Sequence, residues 1–262
     1  MLFALKLGLV AASVLLASLA ARRYGHSVAG TLAGMPMIAG PIIGFLLLQQ
    51  PVEQVRAIAL ATLVCLPAMV AHMVSFAHAA RVLPWYGALL VANGVFVALG
   101  WALSSLALPP VAACALAMSA PLAGMAAMPV RGNGDDASVV TIPQAELVLR
   151  VAAALAIAAA IMLGADLFSA LVSGLLLAAP ITGNVLPCFT LPRHGAVATA
   201  ALLWGFVRGL FGFVTFFVVL YAGLPVVGAA LAYGLAWLAA LGVALAVYAF
   251  SSLQRQIHSS SA

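Results

Sequence analysis

Ala29-Gly-Thr-Leu-Ala-Gly-Met-Pro-Met-Ile-Ala-Gly-Pro41 opens an apolar run that continues unbroken by charge to Gln49. Ser173-Gly-Leu-Leu-Leu-Ala-Ala-Pro-Ile-Thr-Gly-Asn-Val-Leu-Pro187 does the same in the second half. Each run is long enough to cross about 30 Å of hydrocarbon as a helix. Prolines interrupt each: Pro36 and Pro41 in one, Pro180 and Pro187 in the other. A proline inside a helix removes a backbone donor and crowds the preceding turn. Gly40 and Gly183 add permissive backbone beside the interruptions. Freed amides and carbonyls cannot face lipid, where each unsatisfied group costs several kcal/mol. They must face protein or a hydrated cavity.

The rest of the chain has the same solvent. Two thirds of its residues are hydrophobic (66%) and 6% are charged, against about 25% charged in soluble domains. The net charge of +5 does not indicate nucleic acid, because the basic residues sit singly or in pairs at the ends of apolar runs. Cys65, Cys114 and Cys188 lie inside apolar segments. Their spacing fits no metal motif, and they read as small helix-packing hydrophobes. The first twenty residues have the look of a signal peptide. A related segment recurs later and Arg22-Arg23 follows it, so it reads as a retained helix. No cofactor or metal is expected.

Helices are expected over about 2–21, 26–49, 53–79, 84–107, 110–129, 145–164, 166–191, 196–222 and 225–250. Nine crossings collect Arg22, Arg23, Arg81, Arg131, Arg193 and Arg255 on one face and leave mainly Lys6 and Arg56 on the other. That bias predicts a cytoplasmic C-terminus, an outside N-terminus and a bacterial inner-membrane location.

The two quoted runs also align with each other. A slide of 144 residues brings Leu5 onto Leu149, Lys6 onto Arg150, Gly30 onto Gly174, Pro36 onto Pro180 and Phe45 onto Phe189. A slide of 141 brings Leu83-Pro84 onto Leu224-Pro225 and Gly87 onto Gly228. The expected plan is an all-α polytopic membrane protein: residues 1–108 form one four-helix unit and 144–251 a second. Residues 109–143 supply a linking helix and polar loop, and 252–262 a polar tail. Five crossings separate equivalent helices, so the second unit is inverted. Inverted repeats with interrupted helices at matching positions are an architecture of secondary transporters.

On this reading the substrate site gathers Pro36, Gly40, Pro41, Pro180, Thr182, Gly183, Asn184 and Pro187. Half-helix N-termini favour an anion, and Thr182 and Asn184 add side-chain hydrogen bonds. Arg208 lies mid-span in Leu202-Leu-Trp-Gly-Phe-Val-Arg-Gly, at a cost of at least about 2.5–3.5 kcal/mol on insertion scales. No carboxylate is expected at its depth, so backbone carbonyls, water or a bound anion should meet its charge. His72 and Asn93 are the other polar groups expected within the bundle. The expected activity is alternating-access transport of a small organic anion, with the lipid bilayer as the other partner and a homodimer allowed. A membrane-embedded enzyme and a non-catalytic partner subunit are the alternatives; the scattered histidines show no HExxH-type pair.

The stretch Ala29–Pro41 resembles the AGLPLTSGP-like segment of uncharacterised proteobacterial inner-membrane proteins, which a proline-broken helix follows in the second half. The second half of the chain also resembles small GlpM-type membrane proteins. The first resemblance implies a two-half membrane fold and no particular substrate. This chain lacks the hydroxyl residues of the LTSGP-like form.

Overall fold

A computed structural model describes residues 2–129, 142–165 and 179–260. All regular structure among them is α-helical: α1 (Leu2–Tyr24), α2 (His26–Gly34), α3 (Ala39–Gln49), α4 (Val52–Ala79), α5 (Trp85–Ser105), α6 (Pro110–Ala127), α7 (Gln144–Ala165), α8 (Ile181–Val227) and α9 (Ala229–Ser260). Seven spans are long and apolar enough to cross a membrane, with α2 and α3 forming one of them. This is the build of a polytopic membrane protein. Large apolar side chains point outward along it, among them Leu90, Trp101, Val111, Leu122, Leu231 and Leu245. In water such a surface would aggregate; in lipid it costs nothing.

The elements depart from the expected plan in three places, one of them the last helix, which starts at Ala229 and runs through Ser260 instead of covering 225–250 ahead of a polar tail. The 26–49 span is two helices, because α2 stops at Gly34 and α3 starts at Ala39. The start of the expected 166–191 helix lies outside the described residues. Its remainder is the first arm of α8, which would be about 70 Å long if straight but bends at Gly195 (φ 78°, ψ −178°). The linking loop around Asp135 and Asp136 also lies outside the described residues.

The centre of the molecule is a close crossing of α2 with the second arm of α8. Gly30 and Gly34 press on the backbone of Leu202 and Phe206, while Gly205 and Gly209 press on the carbonyls of Ser27 and Thr31. The partners advance together along both helices, so the two run parallel. Small residues four apart permit this approach, and in lipid that packing drives association in place of the hydrophobic effect. At the other end of the span, α3 receives α9: Gly40 faces Trp237 and Gly44 faces Tyr233. Those rings join Phe216 and Phe217 in an edge-on aromatic cluster, with Phe213 tilted against Phe217. On the opposite side, α4 packs on the start of α8 through Met73 and Gly183.

Candidate functional site

The first break begins at Met35, whose backbone is extended (φ −75°, ψ 162°). A residue before proline is pushed out of the helical region by the proline ring, so Pro36 ends α2 one residue ahead of itself. The chain then turns: Met37 N donates to Met35 O (2.7 Å) and Gly40 N donates to Pro36 O (2.8 Å). The second break carries the same two bonds. Ile181 N donates to Ala179 O (2.9 Å), and Asn184 N donates to Pro180 O (2.7 Å). Each residue of the second set stands 144 positions after its counterpart in the first.

Pro41 and Pro187 break nothing, contrary to expectation. Pro41 is the third residue of α3, in the first turn, where a helix needs no backbone donor. Pro187 lies inside α8, whose backbone stays helical from Ile181 until Gly195. The first span is therefore interrupted once, and the described part of the second turns at Ala179–Pro180 and is helical from Ile181 through Pro187.

The two breaks meet. Thr182 Oγ1, one residue into α8, donates to Ala33 O near the end of α2 (3.3 Å), and Thr182 is buried. Ala33 lies in the last turn of α2, where carbonyls lack helical partners. The hydroxyl at the start of one broken span thus serves the frayed end of the other. Around this junction two buried polar groups have no hydrogen-bond partner among the described residues. The Asn184 Oδ1 atom is one; the other is the His72 ring, whose nitrogens face the backbone of Ala92 and Gly183 without reaching full hydrogen-bond geometry. His72 is fully enclosed, its ring beside the backbone of Gly183 and Ala92 and edge-on to Phe96 (6.3 Å between centroids). Buried polar atoms are paired in the great majority of cases, so these two are exceptions, and they gather beside the start of α8.

Arg208 is buried at 4% exposure. Its Nε and Nη2 both donate to Thr31 Oγ1 (3.0 and 2.7 Å), and its guanidinium stacks over Trp204 (5.1 Å). Thr31 in turn donates to Ser27 O (3.0 Å). A threonine hydroxyl and an indole face therefore join the groups expected to meet this charge. Thr31 sits on the α2 turn between Gly30 and Gly34, so the glycine crossing that brings α2 against α8 also delivers the hydroxyl to the arginine. Sequence reading missed Thr31: its partner lies 177 positions away, and no local pattern announces it. Asn93, by contrast, uses its amide within its own helix, donating to Leu89 O (3.0 Å), and takes no part in the junction.

A second polar cluster, which sequence reading did not anticipate, closes one end of the bundle. Arg150 Nε and Nη2 donate to Glu146 Oε1 (3.1 and 2.6 Å), while Arg193 Nη1 donates to Glu146 Oε2 (2.7 Å). Arg22 donates to Ile142 O at the start of the same region. His26 and His194 lie ring to ring (4.8 Å) beside them. Arg150 rests on the Phe189 face (5.7 Å) and is 2% exposed.

Among the described residues no group of histidines, cysteines or carboxylates is arranged to hold a metal ion. No known protein family matches the chain, and neither curated proteins nor solved structures include a match.

Proposed function

We propose that the chain is a small secondary carrier for an organic anion, working by alternating access between two inverted four-helix units with nine crossings in all. The observation that carries the reading is the junction of the two interrupted spans, hydrogen-bonded from Thr182 to Ala33. Two further features support the duplication, and the odd number of crossings between the halves makes it an inverted one on this reading. The backbone bonds of the two breaks repeat at a constant separation of 144 positions. The packing is also reciprocal. The broken span of the first half lies on the second arm of α8, and the break of the second half lies on α4. A pseudo-twofold axis relating the halves demands that exchange of neighbours.

The anion follows from the charge in the bundle. Arg208 stands buried on α8, and the N-terminal ends of α3 and α8 add the partial positive charge of the helix dipole. His72 and Asn184 supply neutral hydrogen-bonding capacity at the same junction. The proposed membrane is the bacterial inner membrane, with the arginine-rich end cytoplasmic. Arg22 reaches Ile142 and Arg193 reaches Glu146, so these arginines share one end. Arg56 stacks on Tyr221 towards the far end of α8 (4.7 Å).

The test is flux through the purified chain alone. Proteoliposomes under an imposed potassium-diffusion potential are offered a panel of labelled mono-, di- and tricarboxylates. The reading predicts saturable, potential-dependent flux for at least one member, reduced at least about tenfold by Asn184→Ala, a loss of about 1.4 kcal/mol. Uptake indistinguishable from protein-free liposomes across the panel would contradict it.

A further inference from the structure

We infer that the cluster where α1, α2, α7 and the first arm of α8 meet is a binding site for a phosphate group, carried either by a soluble phosphate or by a lipid headgroup. Two guanidinium groups, Arg150 and Arg193, hold one carboxylate, Glu146, and a third, Arg22, lies beside Arg150 and donates to the Ile142 carbonyl. Arg22 and Arg193 both lie within electrostatic reach of Arg150. The described charges therefore leave an excess of two positive units (three minus one). A phosphate monoester carries about −1.5 to −2 near neutral pH, which matches that excess, and the single negative charge of a phosphodiester headgroup is accommodated within it.

The donors are also of the right kind. Guanidinium groups bind phosphate oxygens through paired N–H donors. Glu146 occupies part of Arg150 and Arg193 and holds both in place, as a carboxylate prop would. The Nε2 atoms of His26 and His194 are buried and have no hydrogen-bond partner among the described residues. Two unpaired imidazole nitrogens beside three arginines are a second observation, independent of the charge count. Arg193 is 40% exposed on its side chain and forms the entrance, whereas Arg150 is enclosed and forms the floor. Basic pockets between transmembrane helices near one membrane face are places where phosphate headgroups bind. The assignment does not rest on the carrier reading, and its test needs no flux.

The full chain, purified in dodecyl maltoside, is titrated calorimetrically with inorganic phosphate at fixed ionic strength, with chloride as the matched control. In parallel it is placed in nanodiscs of phosphatidylcholine with and without phosphatidylglycerol, and thermal unfolding is followed. Phosphate binding in detergent identifies a soluble ligand. Stabilisation by phosphatidylglycerol without phosphate binding identifies the headgroup. Either supports the site, provided that Arg193→Gln and His194→Gln, which leave the enclosed Arg150–Glu146 pair intact, each weaken the effect about tenfold. The Asp135→Asn/Asp136→Asn chain covers the remaining case. Binding that appears only after those two acids are neutralised would mean that the loop itself fills the site, and would overturn the proposal. So would the absence of both phosphate and headgroup effects, or effects that survive both substitutions.

Discussion

Arg208 is tolerable inside the bundle because of what Thr31 supplies. Two of its donors end on one hydroxyl, and hydrogen bonds to a charged group are worth about 1.5–3 kcal/mol each way they are broken in isolation. Thr31→Val keeps the shape and removes the acceptor. It should lower thermal stability in detergent by an amount in that range, while Thr31→Ser should restore most of the loss. Equal unfolding temperatures for Thr31→Val and the native chain would show that the arginine relies on other groups. Gly209 is the matching packing residue. A Cβ there would meet the Thr31 carbonyl and the Gly34 backbone, which cannot swing aside. Gly209→Ala should therefore cost about 1–3 kcal/mol through overpacking, read as a fall in the unfolding midpoint. Arg208 itself stood out in the sequence, because an arginine in an apolar span needs an explanation. Thr31 did not, because a threonine in such a span needs none.

The elements divide by whether their cause is local. The ends of α2 and the start of α8 were legible, since proline acts on its own neighbours: Met35 goes extended because Pro36 follows it. Pro41 and Pro187 misled for the same reason in reverse. A proline in a first turn forfeits nothing, and one within α8 is accommodated by surroundings that no pattern of spacing reveals. Pro36→Ala would restore an N–H four residues after Leu32. It should let α2 continue, holding or raising the unfolding midpoint while reducing flux at least about tenfold; full flux in this variant would detach the break from function. Gly195 is a hinge of a different kind. Its φ of 78° is left-handed, and a Cβ added there would touch nothing, so substitution costs conformational energy alone. Gly195→Ala should lose about 1–3 kcal/mol of stability, and Gly195→Asn should lose as much, because φ 78° with ψ −178° lies outside the αL region that asparagine tolerates. Charge counting placed Arg22 and Arg193 on one membrane face, but not their convergence on Arg150 and Glu146, because the members of this cluster come from four separate helices, each with an ordinary terminal charge.

At the scale of the molecule, the membrane class followed from composition, since no other solvent accepts so little charge on so large a surface. The meeting of the two broken spans did not follow from it. That contact depends on which helices cross, and glycines at 30, 34, 205 and 209 decide it only once the chain is folded. The carrier account requires the junction to open to each side of the membrane in turn. Accessibility of that point measures this directly. In a chain whose Cys65, Cys114 and Cys188 are replaced by serine, Asn184→Cys is exposed to a membrane-impermeant thiol reagent, applied first outside and then inside sealed proteoliposomes. The account predicts labelling from both sides, with a transported anion shifting the balance between them. Labelling from neither side, or from one side alone under every condition, would contradict it.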